Sequence, residues 1–207
     1  MGTVHVSRHP LVLHKATLLR ERTTPPWHFR RLVRDLTQIL FVEATAGLAT
    51  EPFAVQTPLA VYDGHRLAGT LAIVPILRAG LGMSEAVLEF VPEACVCHLG
   101  LYRDEHTFQP VTYYNKLPAG RPTDFALVVD PMLATGGSAV AALDILKDWG
   151  ARHVAFLGLI GAPEGVKAVH AKHPDVPIHL AALDSHLNEK CYIVPGLGDA
   201  GDRQFNT

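Results

Sequence analysis

Apolar residues recur along the chain in two rhythms, and the rhythms alternate. Phe29, Leu32, Val33, Leu36, Ile39 and Leu40 keep the 3.6-residue spacing of one helical face. They follow Thr24-Pro25-Pro26, an N-cap candidate with early prolines. From Leu71 onward the pattern changes to short unbroken runs: Leu71 to Val74, Cys95 to Leu101, Phe125 to Val129, Val154 to Ile160 and Ile178 to Leu183. Such runs read as strands covered on both faces. Between them, Met83 to Phe90, Ser138 to Trp149 closed by Gly150, and Pro163 to His173 read as helices.

That alternation predicts an α/β protein, a mostly parallel sheet with helices on both faces. Val111 to Tyr114, between Pro110 and Pro118-Ala119-Gly120, is a β-rich stretch expected to form an arm or hairpin outside the core. No repeat, low-complexity tract or linker interrupts the chain. Residues 1–207 are therefore expected to form a single domain, with the N-terminal helix and the tail from Asn188 packed on it as appendages.

Composition narrows the function classes. At 48% hydrophobic and 18% charged residues, the chain is too apolar and too weakly charged to stay disordered. A formal charge of -2 offers no global field for nucleic acid or an anionic membrane, so neither is an expected partner. No uncharged apolar run approaches a membrane span, and Met1 to His5 lacks the regions of a secretory signal, so a cytoplasmic location is expected. The three cysteines, Cys95, Cys97 and Cys191, form no CxxC pair and have no histidine at zinc-ligand spacing. They read as packing thiols, Cys95 and Cys97 on one strand face, and no metal site held by protein ligands alone is expected.

Chemistry concentrates where strands end. Leu127-Val128-Val129 stops at Asp130-Pro131-Met132-Leu133-Ala134-Thr135-Gly136-Gly137-Ser138, an acid and a glycine turn that restart as a helix. Ligands of open α/β sheets bind at that edge. Converging N–H groups, the helix dipole and the hydroxyls of Thr135 and Ser138 suit a monophosphate. An acid just before such a cradle suits the hydroxyls of a sugar. The absence of Gly-Lys-Ser/Thr excludes a Walker loop. At a second strand end, Pro75-Ile76-Leu77-Arg78-Ala79-Gly80 offers Arg78, whose planar fork grips phosphate oxygens. Arg103, in Leu101-Tyr102-Arg103-Asp104-Glu105, leaves another strand toward the hairpin-like segment.

Gly196-Leu197-Gly198-Asp199-Ala200-Gly201 matches GxGxxG formally. Only Asp202 to Thr207 follow it, too few for the helix and distant acid of a dinucleotide site. A glycine turn can instead expose backbone donors and acceptors to the edge of a flat base.

Together these motifs resemble the type I phosphoribosyltransferase family. The side-by-side acids of many members are replaced by Asp130-Pro131, which looks like the uracil-specific branch, as do Pro75 to Gly80 and Ile193 to Arg203. The resemblance implies transfer of the 5-phosphoribosyl group of phosphoribosyl pyrophosphate to uracil, giving UMP and pyrophosphate, in a type I fold with a C-terminal hood over the base. It assigns Arg78, Arg103, Asp130, Pro131, Met132, Leu133, Ala134, Thr135, Gly136, Gly137, Ser138 and Asp199 to phosphoribosyl pyrophosphate. Ile193, Gly198, Asp199 and Ala200 fall to uracil, and Arg78, Arg103 and Asp199 to catalysis. It also implies Mg²⁺ carried mainly by the substrate, a GTP effector, and a homodimer or homotetramer. Two departures stand in the tail: Cys191 and Asn206 occupy positions where relatives commonly have Gly.

Three rival readings use the same loop. An RNA-binding regulator of pyrimidine genes would need a basic face, which the charge does not support. An enzyme for another base differs in the base it accepts. A sensor of phosphoribosyl pyrophosphate would release no pyrophosphate.

Overall fold

The computed structural model describes residues 2–103 and 110–207. Strand β1 (Val4–Val6) and helices α1 (Pro10–Arg20) and α2 (Pro26–Ala44) precede a hairpin, β2 (Thr50–Gln56) and β3 (Val61–Leu67). The middle of the chain runs β4 (Leu71–Leu77), α3 (Leu81–Leu88), β5 (Cys95–Val96), β6 (Leu99–Arg103), β7 (Pro110–Asn115) and β8 (Phe125–Val129). Then come β9 (Met132–Leu133), α4 (Gly137–Trp149), β10 (His153–Gly161), α5 (Pro163–Lys172) and β11 (Ile178–Leu183). Two short strands, β12 (His186–Leu187) and β13 (Ile193–Val194), and helix α6 (Ala200–Phe205) follow.

The main sheet has the order β1-β11-β10-β8-β4-β6-β7, with β5 beside β4 and β9 beside β10. Its pairs are parallel apart from β6 with β7. Period-two alternation sorts its side chains. Ile73, Leu127, Val129, Ala155 and Leu157 meet α1, α2 and α3 on one face. Ala72, Val74, Val128 and Phe156 meet α4 and α5 on the other. This is the expected α/β class with both faces covered.

Helix α2 shows what holds these layers. Its N-cap is Pro25, with no side-chain cap bond. Thr24, the expected cap, instead donates its hydroxyl to the Leu18 carbonyl at 2.7 Å. A missing cap costs about 1 kcal/mol. Phe29, Leu32, Leu36 and Leu40 are each at most 2% exposed. Burying each contributes about 1.5–3 kcal/mol, so packing decides the helix. No described helix is long and apolar enough to cross a membrane.

Three expectations change in detail. The run Cys95 to Leu101 is two strands: β5 follows Ala72 and Ile73, and β6 resumes beside Ile76 and Leu77. The cysteine sulfurs lie 3.5 Å apart, with Cys95 exposed and Cys97 buried. Burial pushes the Cys97 thiol up to about 12. The stretch Val111 to Tyr114 is part of β7, an antiparallel edge of the main sheet with an irregularity at Gly100/Leu101. A separate hairpin is made by β2 and β3, paired from Thr50↔Leu67 to Gln56↔Val61. Its Phe53, Val55, Leu59, Val61, Tyr62 and Leu67 are exposed.

Candidate active site

Parallel pairing aligns the strand ends that carry the chemistry. Pro75 of β4 pairs with Val129 of β8, so Arg78 and Asp130 emerge at the same carboxyl rim. Strand β11 ends nearby, because Gly161 of β10 pairs with both Leu133 and Leu183.

The phosphate-loop segment is braced from behind. The Pro131 carbonyl accepts from the Leu159 and Ile160 amides at 3.1 and 3.0 Å. Met132 and Leu133 pair with Ile160 and Gly161. Pro131 and Leu133 are buried, so their side chains face protein. Ala134 and Thr135 then lead to Gly136, whose φ of 83° lies in the left-handed region, and α4 starts at Gly137. A side chain at Gly136 would be strained twice over, by that φ and by a Cβ 2.8 Å from the Gly165 carbonyl. The turn leaves Thr135, Gly137 and Ser138 half-buried at the helix start, where the first N–H groups lack intrahelical partners.

Asp130 sits just before this turn. Its Oδ1 accepts from the Met132 amide at 3.3 Å. The side chain lines a cavity and is half-buried. Loss of solvent there pushes its carboxyl up to about 7, and the charge of Asp199 adds to the rise. The sign for stability follows from an ordinary value of 3.8. Below that value both folded and unfolded chains hold the proton. Between it and about 7 only the folded chain does, so stability falls as pH rises, and the full penalty stands above about 7. Asp130→Asn should therefore gain melting temperature over the parent as pH climbs from 4 to 7 and level off beyond, as read by calorimetry. A gain independent of pH would contradict the shift.

The tail folds back over the same rim. Strands β12 and β13 pair antiparallel at His186↔Val194 and Leu187↔Ile193. The chain then passes a cis Val194–Pro195 bond and Gly196, with φ at 59°. An ion pair clamps Gly196: Arg20 donates to both Asp184 oxygens at 2.8 and 2.6 Å and to the Gly196 carbonyl at 2.8 Å. Asp184 accepts the Gly196 amide at 2.8 Å. Arg203 donates to the Leu19, Leu197 and Glu21 carbonyls and lies 4.4 Å from the Phe29 ring centroid. Asp199 caps α6, its Oδ1 accepting from the Asp202 amide at 2.9 Å.

These segments enclose a cavity of about 260 Å³. Ala79 comes from the first, Asp130, Met132 and Ala134 from the second, and Ile193, Gly198, Asp199 and Ala200 from the third. Arg78 stands beside it, 61% exposed, with Nη2 3.7 Å from Asp202 Oδ1. Arg103 ends β6 opposite Pro110, and its side chain lies outside the described residues. A larger cavity, about 770 Å³, opens at the other end of the strands near Leu71, Phe125 and His153. It contains none of the motif residues, so the smaller one holds the candidate chemistry. Sequence reasoning missed Arg20, Asp184 and Gln204. Arg203 stood at the end of a stretch already singled out, Ile193 to Arg203, and carried no assigned role.

The chain is similar to known proteins over nearly its whole length. Residues 6–207 match the family described as Uracil phosphoribosyltransferase. Curated uracil phosphoribosyltransferases from Roseiflexus castenholzii and Geobacillus kaustophilus are 63% identical over 207 residues and 51% over 208, covering all of each chain. The solved structure of AQ2163 protein from Aquifex aeolicus superposes with a TM-score of 0.93 at 36% identity over 98% of both chains. An adenine phosphoribosyltransferase from Trypanosoma brucei shares the fold, with a TM-score of 0.59 at 12% identity over 96% of this chain and 89% of its own.

Proposed function

Because this chain belongs to the uracil phosphoribosyltransferase family, we infer that its two substrates meet in the 260 Å³ cavity between the Arg78, Asp130 and Gly198 loops. The reaction transfers the 5-phosphoribosyl group of phosphoribosyl pyrophosphate to uracil, giving UMP and pyrophosphate. The observation that carries the assignment is the convergence of all three motif segments on one cavity.

The turn from Ala134 to Ser138 holds the 5′-phosphate by its N–H groups and hydroxyls. The Asp130 carboxyl accepts hydrogen bonds from the ribose hydroxyls. Arg78, with Arg103 from β6, grips the pyrophosphate. Backbone groups around Ile193, Gly198 and Ala200 meet the edge of uracil. The C–O bond to pyrophosphate breaks as a uracil nitrogen bonds to the anomeric carbon, and positive charge builds on the sugar. Arginines placed on the leaving group act where negative charge develops. Asp199, whose charge already bears on Asp130, faces the same cavity and takes or stabilises the uracil proton.

Asp130 and Asp199 are hard oxygen donors. Among the described residues no group of three or more His, Cys, Asp or Glu could hold a metal. Mg²⁺ arriving with phosphoribosyl pyrophosphate would find Asp130 and Asp199 as oxygen donors beside it and would supply positive charge to the leaving group.

A homodimer or homotetramer, GTP activation and a cytoplasmic setting belong to the same reading. The β2–β3 hairpin supports self-association: a two-stranded hairpin is marginal alone in water, and this one exposes Phe53, Val61 and Tyr62. GTP dependence is an effect on initial rate.

Assays with magnesium and phosphoribosyl pyrophosphate against uracil, cytosine, hypoxanthine and orotate test the function. Uracil alone should release pyrophosphate and form UMP. Turnover of another base, or binding without pyrophosphate release, would overturn it.

A further inference from the structure

Gln204 is the polar side chain most fully enclosed beside the cavity, at 1% exposure on α6. Its amide nitrogen donates to two carbonyls at once, Ala79 at 3.0 Å and Ala200 at 3.1 Å. Ala79 follows Arg78, and Ala200 follows Asp199; both alanines line the cavity. The Gln204 main chain is anchored too, since its carbonyl accepts from Arg30 Nη1 at 2.6 Å. Its Oε1 lies where a Cβ on Gly82 would approach to 2.7 Å, so the amide is seated against the start of α3.

Another link between these loops is the loose Arg78–Asp202 pair, 3.7 Å apart and more than half exposed on both sides. A solvent-screened pair of that kind contributes little. A buried amide cannot hand its two bonds over to water, so a shift in one loop is carried to the other. We propose that Gln204 is a positioning residue that couples the two substrate subsites, setting the Arg78 loop and the base loop at one spacing. Filling either subsite fixes that spacing and tightens the other. The inference rests on the site reading above, and linkage makes the coupling reciprocal.

The test is calorimetric titration of the full chain with uracil, with and without saturating magnesium pyrophosphate. The parent should bind uracil roughly tenfold more tightly when pyrophosphate is present. Gln204→Met keeps length and loses both donors, so the ratio should fall to about one. Affinity for each ligand alone should stay within about threefold, because Arg20, Asp184 and Arg203 still hold the base loop. Hydrogen exchange on the parent protein gives a second readout: uracil alone should slow exchange at residues 79–83, and pyrophosphate alone at residues 200–205. That readout decides the matter if Gln204→Met does not fold. A ratio of one in the parent, an unchanged ratio in Gln204→Met, or no cross-protection overturns the coupling. Gly198→Val serves as the control on the site itself. Uracil binding that survives in that variant would overturn the base-site reading, whatever the ratio shows.

Discussion

Gly137→Val should abolish measurable binding of phosphoribosyl pyrophosphate while leaving the fold intact. Gly137 is the first residue of α4, and a Cβ there would have only Thr135 Oγ1 nearby, at 3.8 Å. Valine costs a helix no more than glycine does. Its two methyl groups would stand in front of the N–H groups proposed to receive the 5′-phosphate. A loss on the order of 10²–10³ in kcat/KM is expected, the scale for removing aligned donors. Gly136 would be the wrong choice for this test. Its left-handed φ and its contact with the Gly165 carbonyl would damage the fold as well as the site. Titration with the sugar substrate, beside a thermal melt, separates the two effects. Normal affinity in a folded Gly137→Val protein would remove the phosphate loop from the site.

The second large effect is expected at Asp184→Ala, a residue that touches neither substrate in the proposed site. Its carboxylate is only 5% exposed and pairs with Arg20. Removing one partner of a buried pair costs about 3–5 kcal/mol, and the lower end applies because Arg20 reaches solvent. The Gly196 amide loses its acceptor in the same stroke. With the turn before Gly198 released, the uracil KM should rise about tenfold to hundredfold, since a buried backbone group left unpaired costs about 1–3 kcal/mol. The KM for phosphoribosyl pyrophosphate should move by less than about threefold, because the loop from Asp130 to Ser138 has its own braces. Asp184→Asn, which keeps an acceptor for Gly196, should fall between. Steady-state constants for both substrates and thermal unfolding measure this. Parallel changes in both KM values would mean that Asp184 supports the fold without favouring the base loop.

The βα alternation was legible because buried parallel strands write themselves as unbroken apolar runs, and Phe125 to Val129 needed no context to be read. The phosphate loop was legible for the same local reason, an acid and two glycines between a strand and a helix. Gly136 and Gly137 were read together as the turn; the left-handed φ falls at Gly136, and Gly137 opens the helix. The hairpin from Thr50 to Leu67 went unread: Pro52 and the Asp63-Gly64 pair look like breakers, and neither face is buried to impose a pattern. The tail was expected to pack on the core as an appendage, and Ile193, Leu197 and Ala200 do join the core with Phe29. Its wiring through Arg20 and Asp184 joins residues far apart in sequence, which no local pattern records. The two departures from glycine, Cys191 and Asn206, are the non-glycine residues with positive φ among those described, at 62° and 59°. Both positions thus ask for the backbone freedom that glycine would supply.

The three loops that share the cavity come from distant stretches of the chain and meet only after β4, β8 and β11 have found their neighbours. The tail is tied to α1 and α2 by Arg20, Arg30 and Arg203. No single hairpin or helix pair contains a working fragment of the site. A folding intermediate that has formed the sheet but has not docked its tail would have most of the protein's secondary structure and be chemically silent. Turnover would therefore report the completed tertiary assembly, since it requires these long-range contacts, rather than growing in proportion to the structure formed.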